Sequence, residues 1–229
     1  MLTKRDGFPR IGAVIFDYGE VLCFPPRHEE IERMAGMFGV EPKLFPPLWE
    51  KNRGAYDRGD LTPEVYWDML AKDAGIKMTP ELLAEVNELD SEMWGRPNPK
   101  MVQWMQQLSV AGIKIGLLSN MHPGMVRYVR EKFEWVASFA SAIFSGDVRM
   151  VKPDSAIYKH TLEKLGVAAE NALFIDDREK NIHTARALGI HTVHFRSMAG
   201  LRKELEAIGF PILPTFSDAD ELPAATIKM

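Results

Sequence analysis

At 229 residues, 46% of them hydrophobic, the chain can bury one sizeable core, or a main domain with a smaller one attached. A formal net charge of −4, with no Lys/Arg run longer than Lys4-Arg5, argues against nucleic acid and anionic membrane as partners. Cys23 is the single cysteine, so an intrachain disulfide and a CxxC metal or redox site are excluded and a reducing, cytoplasmic setting is the default expectation.

Along the chain, the apolar run Ile11 to Phe16 is too short for a signal-peptide core and ends on Asp17, not on a cleavage site; no stretch approaches the length of a membrane span. Short all-apolar runs ending in polar residues recur. Ala13 to Phe16 precedes Asp17, Ile113 to Leu118 precedes Ser119-Asn120, and Ala172 to Ile175 precedes Asp176-Asp177. Their lack of polar/apolar alternation predicts parallel strands covered on both faces. Ala142 to Phe144 and His191 to Phe195 are weaker strand candidates.

Between the later runs lie segments of helical period: Val102, Met105 and Leu108; Ile157, Thr161, Leu162 and Leu165; Ile182, Ala185 and Leu188. Asn98-Pro99 opens the first, and Gly166 and Gly189 close the others. From Phe24 to Arg96 the pattern is helical throughout, with one stripe of Ile31, Met34, Ala35 and Phe38 and another of Leu82, Val86, Leu89 and Met93. Thr62-Pro63 and Thr79-Pro80 each read as an N-cap followed by proline at the first helical position. Pro46-Pro47 is expected to interrupt whatever helix surrounds it. The stretch from Pro211 onward, including Ser217 to Glu221, reads as loop and surface structure. The organisation is therefore α/β: residues 1–23 and 97–229 form a core with a central parallel sheet flanked by helices, and residues 24–96 form a small all-helical unit inserted after the first strand.

In open parallel sheets, ligands bind beyond the carboxyl ends of the strands. Here Asp17, Ser119-Asn120 and Asp176-Asp177 all fall at such ends, and Lys152-Pro153 precedes a helix. Taken singly, each has an ordinary explanation as a turn, cap or solvated residue; taken together they describe a site. Three carboxylates at one sheet edge repel unless a cation balances them, and an all-oxygen ligand set suits magnesium. Lys152, with the hydroxyl and amide of Ser119 and Asn120, supplies donors for a phosphoryl group, and a carboxylate nucleophile divides its hydrolysis into two easier steps.

The segments Phe16 to Leu22, Leu117 to Asn120, Lys152-Pro153-Asp154 followed by Ile157-Tyr158, and Phe174 to Asp177 followed by Asn181, Ala185 and Leu188-Gly189 resemble the four motifs of the haloacid dehalogenase superfamily. The helical insertion after the first motif resembles the subgroup with a helical cap in that place. The resemblance implies a Rossmann-like core and a magnesium-dependent phosphatase for a small phosphorylated molecule. In it Asp17 is nucleophile and metal ligand, the Gly19 carbonyl a second ligand, and Asp176 and Asp177 hold the metal directly or through water. Ser119 and Asn120 bind the transferred group, Lys152 neutralises it, and Asn181 organises its helix. The chain departs from the usual pattern at Gly19, where most phosphatases of the superfamily carry an aspartate acting as general acid and base. Glu20, next along the chain, is a weak candidate for that role, since in an extended or tightly turned backbone the neighbouring side chain often points elsewhere.

Other readings are a metal-independent 2-haloacid dehalogenase, which also lacks the second aspartate but has a neutral residue in place of one of the Asp176-Asp177 carboxylates, and a binding or regulatory protein that keeps the fold without turnover. Oligomeric state is left open. His191 and His194, three apart on a strand, face opposite sides and cannot share an ion. His122 and Arg149 read as loop residues close to the site, and Cys23 as a small buried side chain. Trp49, Tyr56, Tyr66, Trp67 and Trp94 read as core packing, with some left to line a pocket where cap meets core.

Overall fold

A computed structural model describes residues 10–215. Along the chain run β1 (Ala13–Phe16), then α1 (His28–Met37), α2 (Phe45–Glu50), α3 (Arg53–Asp57), α4 (Pro63–Ala74) and α5 (Pro80–Glu92). After these come α6 (Pro99–Val110), β2 (Lys114–Ser119), α7 (Pro123–Lys132), β3 (Ser141–Phe144), α8 (Ser145–Val148) and α9 (Ser155–Leu165). The described chain ends with β4 (Ala172–Asp176), α10 (Glu179–Ala187), β5 (His191–His194) and α11 (Met198–Ala207). The strands form one parallel sheet in the order β3-β2-β1-β4-β5.

The central strand shows why these apolar runs become strands. Val14 and Phe16 enter one cluster with Trp104, Leu108, Val129 and Leu201, whereas Ala13 and Ile15 enter another with Ile157, Leu165 and Ile182. Side chains alternate across the pleat, so a strand buried on both faces needs apolar residues at every position. Gly116 of β2 admits the close approach of α9: a Cβ there would lie 2.8 Å from Leu165 Cδ1. Register pairs Phe16 with both Leu117 and Ile175, which brings Asp17, Ser119 and Asp176 to one edge of the sheet.

The helices between β1 and β2 surround an apolar cluster of their own, in which Phe38, Phe45, Trp67 and Val86 are fully buried. Their starts follow the predicted chemistry. Thr62 accepts from the Val65 amide at 3.4 Å, Thr79 from Leu82 at 3.2 Å, and Asn98, at the head of α6, from Lys100 and Met101 at 3.2 and 3.3 Å. Pro46-Pro47 departs from expectation: both lie in the first turn of α2, where the missing amides have no helical acceptor to lose, so they start a helix and do not interrupt one. The segments leading into and out of this region lie side by side, with Phe24 N donating to Arg96 O and Asn98 N to Leu22 O, each at 2.8 Å, around an antiparallel bridge between Cys23 and Pro97.

No helix among the described residues is long and apolar enough to cross a membrane. Residues 211–215 are irregular but anchored, the Ile212 carbonyl accepting from Trp104 Nε1 at 3.0 Å. The remainder of the expected loop-rich tail, with Ser217 to Glu221, lies outside the described residues.

Candidate active site

Asp17 follows β1 directly, its amide extending the sheet by donating to Ile175 O at 2.9 Å. The chain then winds through a tight turn, Tyr18–Leu22, in which Glu20 takes the left-handed φ of 56°. Both hydrogen bonds found at the Asp17 side chain fall on Oδ1, from the Tyr18 amide at 2.7 Å and from Lys152 Nζ at 2.8 Å. Lys152 also donates to Asp176 Oδ2 at 2.7 Å, so one ammonium bridges two strand-end carboxylates. Burial favours the neutral amine, but Asp17 and then Asp176 outweigh it and raise the Lys152 pKa.

Asn120 fixes this lysine from behind. Its Nδ2 donates to Lys152 O at 2.9 Å and its Oδ1 accepts from Lys152 N at 2.8 Å, which leaves one amide hydrogen and the backbone N–H for any ligand. Ser119 is buried at the end of β2 and lines the same cavity. Asn181 does more than organise its helix: Nδ2 reaches both Asp176 oxygens, at 2.9 and 3.0 Å, while Tyr158 Oη donates to its carbonyl at 3.2 Å. With Arg178 N also donating to Oδ1 at 2.8 Å, Asp176 is surrounded by protein donors. Its neighbour Asp177 is held through its backbone, His194 Nε2 donating to the Asp177 carbonyl at 2.7 Å. That role of His194 carries no periodic signal in sequence. His191 instead points at Glu170 O, so the two histidines are separate, as expected.

Oxygens of Asp17, Asp176 and Asp177 lie within 4.8 Å of one another. Burial, then repulsion among these carboxylates, pushes the pKa of both Asp17 and Asp177 up to about 7, with Lys152 opposing. An all-oxygen set that repels itself in this way fits a hard divalent cation. Asp17 and Asp177 are the members with capacity to spare, since Asp176 is committed to Lys152, Arg178 and Asn181.

The cavity above holds about 790 Å³ of empty space, part of it open solvent. Its floor is Asp17, Gly19, Ser119, Asn120, Lys152 and Asp177, and its far side is Trp49, Glu50, Arg53, Asp57 and Trp94 from the helical region. Glu20 lines it too, its pKa raised by burial against the opposing charge of Arg178. Gly19 presents no side chain to it, and a Cβ there would meet Trp94 Cζ3 at 3.4 Å.

A second polar cluster ties the helical region to the sheet. Arg53 Nε donates to Asp57 at 3.0 Å and Nη1 to both oxygens of Asp90, at 2.8 and 3.1 Å, with its guanidinium 5.1 Å from the Trp49 ring centre. Asp90 also accepts from His122 Nε2 at 3.1 Å, and His122 Nδ1 caps α7 by accepting from Met125 N at 3.3 Å. His122 is thus a buried cap stacked on Tyr56, at 4.3 Å between ring centres, and is not among the residues lining the cavity above the carboxylates. Ser145 Oγ donates to Asp57 O at 2.6 Å. Arg149 pairs with Asp60 at 3.0 Å, and Cys23 is buried, as expected. Sequence reasoning missed Arg53, Asp57 and Asp90, whose partners are distant along the chain.

Known proteins resemble the chain in sequence and in fold. Residues 11–189 match the model of the haloacid dehalogenase-like hydrolases. The chain is 24% identical to the sesquiterpene phosphatase astK of Aspergillus oryzae over 200 residues, covering 86% of this chain and 95% of that protein. It is 27% identical to an (S)-2-haloacid dehalogenase of Pseudomonas putida, covering 86% and 89%. Among solved structures, a HAD family enzyme of Bacteroides thetaiotaomicron in complex with magnesium and inorganic phosphate shares the fold with a TM-score of 0.63 at 22% identity, over 80% of this chain and 93% of that one.

Proposed function

The chain belongs to the haloacid dehalogenase-like hydrolases, and on that premise we propose that it is a magnesium-dependent phosphatase of a small phosphorylated molecule, with Asp17 as nucleophile and residues 24–96 as the cap that selects the substrate. The observation that carries this reading is the bridge of Lys152 between Asp17 and Asp176 beside the uncommitted carboxylate of Asp177. An Asp17 carboxylate oxygen attacks phosphorus as the bond to the departing alcohol breaks, and the alcohol takes up a proton. Water then attacks the phosphorus of the acyl phosphate, releasing inorganic phosphate and restoring the carboxylate. Lys152 and the groups of Ser119 and Asn120 bind phosphoryl oxygens, while Asn120 and Asn181 hold Lys152 and Asp176 in place. Glu20, turned toward the cavity by its left-handed backbone, is the carboxyl available to protonate the alcohol.

Asp17, Asp177 and the Gly19 carbonyl would hold the magnesium ion, with Asp176 behind them. Bound there, it neutralises carboxylates that otherwise repel a phosphate dianion. The same repulsion disfavours a metal-free dehalogenase, whose substrate is itself a carboxylate. The likeness to the sesquiterpene phosphatase astK supports phosphatase chemistry.

The test is phosphate release across a panel of phosphomonoesters, with and without magnesium, alongside halide release from 2-chloropropionate. Magnesium-dependent phosphate release that Asp17→Asn lowers by about 10³-fold or more is expected. Halide release without metal would replace this reading with the dehalogenase one.

A further inference from the structure

In-line transfer to Asp17 places the departing oxygen opposite the nucleophile, which here is the side of the cavity built by the helical region. The charged groups on that side are already matched. Arg53 is held by Asp57 and Asp90, and Glu50 faces Arg178 at 3.5 Å. Arg53 and Glu50 are thus engaged in ion pairs, while Glu20 and Lys180, outside the helical region, also line the cavity. The apolar surface on the helical side is indole.

Trp94 reaches the turn that follows the nucleophile. Gly19, two residues from the nucleophile, would aim a Cβ at its six-membered ring, 3.4 Å from Cζ3, 3.9 Å from Cη2 and 4.0 Å from Cε3. The indole therefore lies within van der Waals contact of position 19. Its backbone is fixed by Tyr18, whose Oη donates to Trp94 O at 2.8 Å, and the half-buried ring packs against the apolar clusters of both the sheet and the helical region. Trp49 on the same side is almost wholly buried, and Met121 and Met125 add thioether surface.

We propose that Trp94 is the specificity-determining residue of this site, its indole forming the wall on which the leaving group packs, so that the enzyme takes phosphate monoesters of apolar alcohols in preference to polyol phosphates. This rests on the phosphatase reading above. An apolar leaving group gains by covering the ring, whereas a polyol laid against it must strip water from hydroxyl groups that the ring face does not hydrogen-bond.

Octyl phosphate and glycerol 3-phosphate, both alkyl esters, separate packing from leaving-group chemistry. With the full chain and magnesium, kcat/KM for octyl phosphate should exceed that for glycerol 3-phosphate by about tenfold or more. Trp94→Ala and the bulkier polar Trp94→Gln should remove that preference, Trp94→Phe should keep most of it, and inhibition by inorganic phosphate should be unchanged in all three. A preference for glycerol 3-phosphate, or equal losses on both esters with phosphate inhibition intact, would overturn the assignment. Calorimetric titration of the same esters into Asp17→Asn distinguishes the two readings. Tighter binding of octyl phosphate that depends on Trp94 upholds the wall even if turnover is absent and the phosphatase reading falls, and equal binding sinks the wall whatever the turnover.

Discussion

Lys152 is the residue on which the proposed site depends most, because among the described residues it alone bridges Asp17 and Asp176 and its own backbone is gripped on both sides by Asn120. Lys152→Ala should lower kcat by about 10²-fold or more, with a smaller change in KM, since the ammonium acts on charge that develops during transfer. Steady-state kinetics on the best substrate decides this, and an unchanged kcat would show that the bridge serves only folding. Asp17, Lys152 and Asp177 were legible in sequence because each sits where an apolar strand or a helix start hands over to polar residues. The role of Asn181 was not, because what matters is an amide reaching back five residues to Asp176, which no hydrophobic period encodes. Trp94 was legible in part: sequence placed it among aromatics that pack the core with some lining a pocket where cap meets core, and only the folded chain shows that it is one of the lining residues.

Among the elements, α3 and α5 are joined to α7 by a buried charged cluster together with the stacking of Tyr56 on His122. Burial would raise the Asp90 pKa, but Arg53 and His122 outweigh it and hold it at about 2. A carboxylate depressed in this way contributes stability that is complete above the ordinary aspartate range and lost as pH falls from about 4 toward 2. Asp90→Ala strands Arg53 inside the protein without its main partner and should cost about 3 to 5 kcal/mol in chemical denaturation. Asn98→Ala, which removes only the cap of α6, should cost about 1 kcal/mol. Comparable losses for the two would mean that the buried pair contributes no more than a helix cap. The strands themselves and several helix starts and ends followed from periodicity and capping residues, which are local. The Arg53-Asp57-Asp90-His122 cluster did not, because its members come from separate elements and meet only when the helical region closes on the sheet.

For the whole molecule, the acidic cluster makes stability depend on metal and pH together. Asp17 and Asp177 have pKa values near 7 in the folded chain, above those of an unfolded one, so the folded protein binds more protons between about pH 4 and 7. Without metal, that contribution to stability is complete at about pH 4 and is lost as pH rises to about 7. Magnesium competes with those protons, so it should raise the melting temperature most at and above neutral pH and least near pH 5. Thermal melts from pH 5 to 8, with magnesium or with EDTA, measure this directly; a magnesium effect independent of pH would place the ion elsewhere.

The narrow neck at Cys23 and Pro97 has a consequence of another kind. Because Phe24 is bonded to Arg96 and Asn98 to Leu22, the chain departs from the sheet and returns to it at a single point. Closing such a loop costs an entropy that grows only with the logarithm of its length. The strands on either side therefore scarcely register how much polypeptide has been threaded out and back. Over descent, the excursion can be lengthened, shortened or exchanged while the register that gathers the carboxylates stays fixed, so a lineage can change what it recognises without rebuilding how it reacts.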